Sequence, residues 1–149
     1  MCGIAGCIGS MSDLAEIVKR MATMLDHRGP DDEGVWVDEE VGVALSHRRL
    51  SILDLSSAGG QPMISHSGRY VIAFNGEIYN HLELRYELGN LIPDSSCSSE
   101  IDEGEIVPLD HNPHNGTLGK WRGRSDTETL LEAIASWGIE GTLSRCVGM

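Results

Sequence analysis

The chain has 149 residues, which is enough for one domain with a hydrophobic core. Its net charge of -12, from 23 acidic and 11 basic residues, excludes the basic patch that nucleic-acid binding requires. Because the sequence has no apolar run of about 20 residues, no signal peptide and only irregularly spaced cysteines, we expect a cytoplasmic protein without a membrane span or a disulfide framework.

The first candidate functional residue is Cys2, which becomes the N-terminal residue when Met1 is removed. A cysteine at this position carries a thiol and a free α-amino group on the same carbon atom, so one residue supplies both a nucleophile and a base. The α-amino group of a peptide has a pKa of about 8 and can accept a proton near neutral pH. The alternative is that Cys2 is a small buried apolar residue, as many free cysteines are.

The N-terminal part of the chain predicts strands around one amphipathic helix. Alternating Gly, Ala and Ile residues predict a buried strand over 2–8. Ser12 or Asp13 can cap a helix over 14–25. The apolar residues of this helix share one predicted face: Leu14, Ile17, Val18, Met21, Met24 and Leu25. Two further strands are predicted at 35–37 and 41–46.

The remaining chain predicts one strong strand and two helices that flank an irregular segment. Residues 69–75 alternate as a strand does, and a helix follows over 81–88. Residues 91–123 show no helical or strand period and are expected to form a surface excursion. Ser125 and Glu128 predict a capping box that opens a helix ending near Trp137. This mixed order of elements predicts an α+β fold with largely antiparallel sheets.

Several separated stretches resemble one family. In chain order they are MCGIAGCIG, HRGPDDEG, HRRLSILDLSSAGGQPM, FNGEIYN and SDTE. Together they resemble the class II glutamine amidotransferase domain of glutamine-hydrolysing asparagine synthase, over residues 1–88 and 121–149. The resemblance implies a four-layer αββα sandwich of the N-terminal-nucleophile hydrolase type, with two antiparallel sheets face to face. It also implies hydrolysis of L-glutamine to glutamate and ammonia through a thioester on Cys2.

The resemblance also sets expectations for the domain organisation. In the family, ammonia passes to a C-terminal synthetase domain that amidates aspartate with ATP and Mg²⁺. The signature of that domain, Ser-Gly-Gly-x-Asp-Ser, is absent, and residues 57–60 do not supply it. We therefore expect residues 1–149 to form an incomplete amidotransferase domain, truncated at the C-terminus, with an irregular insertion at 89–120. The glutaminase domain implies no cofactor of its own, and a homodimer is compatible with the family.

The Asn75-Gly76 pair is the candidate for stabilising the oxyanion that forms during amide hydrolysis. An Asn side-chain NH₂ group and a Gly backbone N–H can donate to one oxygen, and Gly permits close approach. The alternative is a type I′ hairpin turn, which is the commonest use of this dipeptide. The dipeptide alone favours the turn, whereas the resemblance implies the oxyanion hole. The implied catalytic residues are thus Cys2, Asn75 and Gly76.

The resemblance further implies how the amino-acid end of glutamine is held. Arg49 would bind the α-carboxylate with its planar guanidinium, and Glu77 and Asp126 would contact the α-amino group. Arg48 is the alternative for the carboxylate, because sequence spacing alone does not separate the two arginines. Asp126 also suits an ordinary place at a helix N-terminus. Backbone groups and pocket walls are expected from Leu50, Ile52 and Leu53, together with Asn75 and Gly76.

No metal site is expected. Cys97, His111 and His114 could be combined with Cys7 or Cys146, but their spacing matches no zinc-binding pattern.

Two alternatives to a glutaminase of asparagine synthase stay open. One is another class II amidotransferase, such as the glucosamine-phosphate or phosphoribosylamine enzymes, and the HRGPD, HRRLSILD and NGEIYN motifs speak against it. The other is a non-catalytic scaffold relative, which would be expected to lose Cys2.

Overall fold

Alternating residues near the N-terminus form a three-stranded antiparallel sheet. The computed structural model describes residues 2–10, 13–50, 57–91 and 121–149. The strands are β1 (Gly3–Ile8), β2 (Asp32–Asp38) and β3 (Val43–Arg49), in the order β1-β3-β2. The predicted first strand is confirmed, but it is not buried on both faces, since Ile4 and Ile8 are exposed. β2 begins earlier and β3 ends later than the sequence predicts.

One face of this sheet is covered by α1 (Leu14–Met24), which confirms the predicted helix. The core between them consists of Leu14, Val18 and Ala44, with Cys7 and Val37 packed against it. The predicted apolar face is partly wrong, because Met21 and Met24 are exposed and Ala22 is buried. Leu14, Val18 and Ala22 follow each other at a spacing of four residues. This narrow stripe faces the sheet, and the flanking methionines stay in solvent.

The start of α1 differs from the predicted cap. Asp13 adopts a left-handed conformation, with φ of 73°, and its side chain makes no capping hydrogen bond. Its carbonyl accepts a hydrogen bond from the Ile17 N–H at 3.0 Å. The other predicted cap, Ser12, lies outside the described residues.

A second, two-stranded antiparallel sheet pairs β4 (Met63–Ile64) with β5 (Val71–Ile72). The strand predicted over 69–75 is therefore too long. Past the end of β5, the Phe74 N–H donates to the Gln61 side chain and the Phe74 carbonyl lies 3.2 Å from the His47 ring. Side chains thus form hydrogen bonds with the backbone groups that, in a longer strand, would pair with a neighbouring strand.

Two helices that pack against each other complete the described fold. α2 spans His81–Leu91, so the predicted helix is confirmed but continues past Leu88, and the irregular insertion does not begin at Gly89. α3 spans Asp126–Leu143, and Gly138 interrupts its helical geometry with φ of 75° and ψ of 172°. This break follows directly after the predicted helix end. Residues 92–120, which hold most of the predicted insertion, lie outside the described residues.

The described elements therefore form an α+β fold with antiparallel sheets, as the sequence predicts. Among the helices of the described residues, none is both long enough and apolar enough to cross a bilayer.

A buried carboxylate on α3 fixes the segment that leads into that helix. Glu128 is fully buried, and its carboxylate accepts hydrogen bonds from the backbone N–H groups of Arg122 at 2.8 Å and Gly123 at 3.1 Å. It also pairs with the Arg85 and Arg122 guanidinium groups. The predicted capping box is half correct. Ser125 does cap α3, by accepting from the Thr127 N–H, whereas Glu128 bonds the residues upstream of the cap.

Arg85 connects this segment to α2. Its guanidinium donates to the carbonyl groups of Gly123 at 2.7 Å and Ser125 at 2.8 Å. The same group stacks on the Trp121 ring, 4.3 Å from the ring centroid. Arg85 and Glu128 together hold the N-terminal end of α3 against α2.

We predict that Glu128→Ala lowers the free energy of unfolding by about 3–5 kcal/mol, because it leaves buried donors and charge without their acceptor. Urea unfolding measures this change. Glu140→Ala is the matched control, since Glu140 lies exposed on the same helix, and it should change stability by less than about 0.5 kcal/mol. A Glu128→Ala protein as stable as the control would contradict the structural role given to this carboxylate.

Candidate active site

A cavity of about 220 Å³ opens where the N-terminus, the end of β3, the segment after β5 and the start of α3 meet. Most of the predicted site residues line it: Cys2, Arg49, Leu50, Asn75, Gly76, Glu77 and Asp126. Lining residues that the prediction omitted are Gly59, Gln61, Phe74, Ser125, Thr127 and Met149. Ile52 and Leu53, which were also predicted, lie outside the described residues.

The pairing of β1 with β3 brings Cys2 to this cavity. Gly3 lies opposite Arg48 in the ladder, so Cys2 comes beside the residues that end β3. The Leu50 backbone flanks the thiol: its N–H donates to Cys2 Sγ at 3.4 Å, and its carbonyl lies 3.8 Å from the same sulfur. These contacts fix the position of the sulfur at the cavity wall.

Asn75 is joined to Cys2 by a hydrogen bond. The Cys2 nitrogen donates to Asn75 Oδ1 at 3.1 Å. Because this nitrogen is the donor, the amide oxygen must face it, and the Nδ2 group is left as the remaining donor of the Asn75 side chain. An oxyanion formed beside the Cys2 sulfur would need a donor of this kind.

Asn75 and Gly76 do not form the alternative hairpin turn. A type I′ turn requires positive φ at both central residues, and neither Asn75 nor Gly76 has positive φ. The chain bends at Gly76, and Glu77 and Met149 then exchange backbone hydrogen bonds of 2.8 and 3.0 Å. A Cβ atom at position 76 would overlap the Met149 carbonyl and the Phe74 ring, so this close approach requires glycine.

The two adjacent arginines have different surroundings. Arg48 pairs with Asp26 and Glu33 and donates from Nε to the Gly29 carbonyl at 3.1 Å. Arg49 lies in the cavity wall, with its guanidinium packed against Gly59. Successive residues of a strand point to opposite faces, which explains the division. The structure therefore brings Arg49, and not Arg48, to the cavity.

Two acidic residues, Asp126 and Glu77, also line the cavity. Asp126 is buried at the start of α3, where Oδ2 accepts from the Ile78 N–H at 2.9 Å and Oδ1 accepts from the Thr127 N–H at 2.8 Å. These two hydrogen bonds fix the orientation of the carboxylate at the N-terminal end of α3. Glu77 is exposed at the rim. The cavity lining thus combines two carboxylates with the Arg49 guanidinium.

Gln61 is the main site residue that sequence reasoning missed. Its Oε1 accepts from the Phe74 N–H at 2.6 Å, and its Nε2 donates to Thr127 Oγ1 at 3.2 Å. Gln61 and Thr127 lie inside the quoted HRRLSILDLSSAGGQPM and SDTE motifs, so those motifs carried the available signal. Met149 had no such signal, because its backbone reaches the cavity by pairing with Glu77.

The described residues contain no group of three or more His, Cys, Asp or Glu side chains that could hold a metal ion. Cys97, His111 and His114 lie outside these residues.

Two histidines next to the site are kept neutral. Burial is the largest cause that lowers the pKa of His47; Arg49 lowers it further, while its contact with Phe74 and the charge of Asp32 oppose the shift. Burial likewise lowers the pKa of His81, with Asp126 and Glu77 opposing and Arg85 assisting. Their folded forms therefore disfavour the imidazolium cation.

Comparison with known proteins gives a consistent result. A family model described as a glutamine amidotransferase domain matches residues 1–107. Asparagine synthetase [glutamine-hydrolyzing] 1 of Bacillus subtilis is 46% identical over 59% of this chain and 14% of its own length. Asparagine synthetase B of Escherichia coli is 40% identical over 60% of this chain and 16% of its own length. A putative asparagine synthetase of Mycobacterium bovis is 42% identical over the whole chain and 21% of its own length. The chain thus spans a minor part of these relatives.

We predict that the stability of the protein falls as the pH is lowered from 7.5 to 5.5. An unfolded histidine takes up a proton near pH 6.5, whereas His47 and His81 resist protonation while folded. Their contribution is therefore complete above pH 6.5 and is lost as the pH falls toward their lower folded pKa values. Urea unfolding at both pH values measures the loss. His47→Gln should make it smaller, and an unchanged loss in this variant would contradict the assignment to His47.

Proposed function

This chain belongs to the glutamine amidotransferase domain family, and we propose that it hydrolyses the side-chain amide of L-glutamine to glutamate and ammonia. The observation that carries this proposal is the single cavity lined by Cys2, Asn75, Arg49 and Asp126. A nucleophile, an oxyanion donor, a cation for a carboxylate and an anion for an ammonium group are the parts that glutamine hydrolysis requires. A scaffold without activity would not need this combination.

Cys2 and its own α-amino group perform the proposed chemistry after Met1 is removed. The amine takes the thiol proton while the sulfur attacks the amide carbon, which forms a C–S bond and an oxyanion. Asn75 Nδ2 and the Gly76 N–H stabilise that oxyanion. Collapse of the intermediate breaks the C–N bond, and the ammonium group of Cys2 gives the proton to the departing amide nitrogen, which leaves as ammonia. Water then attacks the γ-glutamyl thioester and gives a proton to the same amine. The C–S bond breaks, the proton returns to the sulfur, and glutamate is released.

The amino-acid end of glutamine is held by the charged residues of the cavity lining. Arg49 binds the α-carboxylate through its planar guanidinium, and Asp126 and Glu77 attract the α-ammonium group. One cation and two anions in the same lining match the two charges of an amino-acid zwitterion. The side-chain amide then extends toward Cys2. Leu50 contributes backbone groups beside the sulfur, and the predicted contacts of Ile52 and Leu53 stay part of the proposal.

We also propose that the complete fold is a four-layer αββα sandwich. Cys7 packs toward α1, so Ile4 and Ile8, at even positions of the same strand, point to the opposite face. Ile8 is 82% exposed and Ile4 is 41% exposed on that face. A second sheet packed face to face would bury this apolar surface.

The ammonia is proposed to serve a synthetase domain that amidates aspartate. The glutamine-hydrolysing asparagine synthetases among the relatives support this acceptor. ATP and Mg²⁺ are expected to bind in the synthetase domain, and glutamine hydrolysis as described above does not use them. A cytoplasmic location and a homodimer belong to the same proposal. Another class II amidotransferase is the competing assignment, and the identities of 40–46% to asparagine synthetases favour the first.

We predict that Cys2→Ala abolishes glutamine hydrolysis while glutamine binding persists, because the groups that hold the amino-acid end are unchanged. Released ammonia and titration calorimetry measure the two effects. Cys7→Ala is the matched control: Cys7 lies on β1, the strand that follows Cys2, and packs toward α1, so this variant should keep its activity. Hydrolysis at the parent rate by a folded Cys2→Ala protein would rule out the proposed nucleophile.

The adjacent arginines allow a second prediction. Arg49→Ala should raise KM for glutamine with a smaller change in kcat, because the α-carboxylate is held equally in the ground and transition states. Arg48→Ala should instead lower thermal stability with little change in KM, since it leaves Asp26 and Glu33 without their cation. Steady-state kinetics and thermal unfolding of both variants give the comparison. Equal increases in KM would remove the distinction between them.

A further inference from the structure

The backbone of Phe74 is held by two side chains from separate parts of the chain. The Phe74 N–H donates to Gln61 Oε1 at 2.6 Å, and His47 Nε2 lies 3.2 Å from the Phe74 carbonyl oxygen. Both contacts lie past the end of β5, where the two-stranded ladder has stopped. We call this arrangement the Phe74 clamp: the His47 and Gln61 side chains with the Phe74 backbone between them.

His47 can serve the clamp only as a hydrogen-bond donor. A carbonyl oxygen accepts, so Nε2 must carry the proton. His47 is 1% exposed, and burial lowers its pKa, so the ring is neutral and Nδ1 keeps a lone pair. Within the described part of the chain, Nδ1 is buried without a hydrogen-bond partner. The ring is therefore oriented by its contact with Phe74 and not by a second partner at Nδ1.

Gln61 is anchored on both sides of its side-chain amide. Its backbone carbonyl lies against Gly34 of β2, where a Cβ atom would overlap it. Its Nε2 donates to Thr127 Oγ1 at 3.2 Å, next to Asp126 at the start of α3. Gln61 thus relates the segment containing Phe74 to the sheet and to the wall that holds Asp126.

The clamp acts directly on Asn75. The Phe74 carbonyl and the Asn75 nitrogen belong to one planar peptide unit, so a rotation of that unit moves Asn75. Asn75 in turn bonds the Cys2 nitrogen at 3.1 Å. A displacement of about 1 Å in a catalytic group can reduce a rate by about 100-fold.

We infer that His47 and Gln61 are positioning residues that hold Asn75 as the oxyanion donor through the Phe74 backbone. This inference rests on the proposed glutaminase function. It goes beyond that function by assigning a catalytic consequence to two side chains that make no proposed contact with the reacting amide. The expected signature is a loss in kcat, because an oxyanion donor acts only in the transition state.

The first test compares two substitutions of His47. His47→Leu removes the donor and should lower kcat for glutamine about 10- to 100-fold, with less than about a 3-fold change in KM. His47→Gln can place an amide N–H near the position of Nε2 and should recover most of the loss. Val18→Ala is the control for reduced stability, since Val18 is fully buried between α1 and the sheet, and it should keep kcat near the parent value.

The deciding test is a double-mutant cycle with Asn75. Asn75→Ala alone should lower kcat by about 100- to 1,000-fold. If His47 acts through Asn75, adding His47→Leu to Asn75→Ala should lower kcat by less than about 3-fold more. The same fold-loss in both backgrounds would overturn the inference. Should His47→Leu not fold, Gln61→Met replaces it in the same cycle, with the same two outcomes.

The outcomes separate this inference from the proposed function. A folded parent protein that releases no ammonia from glutamine would overturn the glutaminase assignment itself. A parent protein that hydrolyses glutamine, with additive losses in the cycle, would overturn only the role of the clamp.

Discussion

The register of the β1–β3 pair is the constraint on which the site depends. Gly3 lies opposite Arg48, so Cys2 meets the residues that leave β3, and its sulfur comes within 3.4 Å of the Leu50 nitrogen. If β3 slipped by one residue, each of its side chains would move to the other face of the sheet, and Arg48 and Arg49 would exchange faces. The arginine that now pairs with Asp26 and Glu33 would then face the cavity. The positions of Cys2 and Arg49, the proposed nucleophile and the proposed carboxylate-binding residue, thus depend on one backbone ladder.

The part of the cavity lining that contains Asp126 is organised from α3. Buried Glu128 and Arg85 hold the segment before the helix, and this places Asp126 where it accepts the Ile78 N–H. The extended chain after Gly76 is thereby fixed to the helix. Asn75 connects these parts of the site. Its side chain bonds the Cys2 nitrogen, and its backbone nitrogen belongs to the same peptide unit as the Phe74 carbonyl held in the Phe74 clamp. Hydrogen bonds that stabilise the fold therefore also position the residues of the proposed active site.

Sequence patterns predict the elements here better than their contacts. The period of α1 places the helix correctly, but it cannot tell that Ala22, and not Met21, faces the sheet, because that depends on the surface of the neighbouring strands. The alternation over 69–75 reads as a long strand, yet Phe74 bonds side chains from distant positions. Local periodicity carries no information about such partners.

The same difference applies to the site: the sequence indicates which residues belong to it better than it indicates their contacts. The resemblance named Cys2, Arg49, Asn75, Glu77 and Asp126, and the structure brings them to one cavity. Gln61 lies inside the HRRLSILDLSSAGGQPM motif, but a neutral polar side chain in a loop does not indicate which groups it contacts. The Gln61 side chain joins the Phe74 backbone to the Thr127 hydroxyl, and this connection is visible only in the folded structure.

The most direct test of the account compares two forms of the same chain in a glutaminase assay. One form begins at Cys2 with a free α-amino group, and the other carries an uncleavable residue before Cys2. Thermal unfolding establishes that both are folded. The extended form should release no ammonia from glutamine, because an amide nitrogen cannot take the thiol proton near neutral pH. A folded, extended form with full activity would contradict the proposal that Cys2 is its own base.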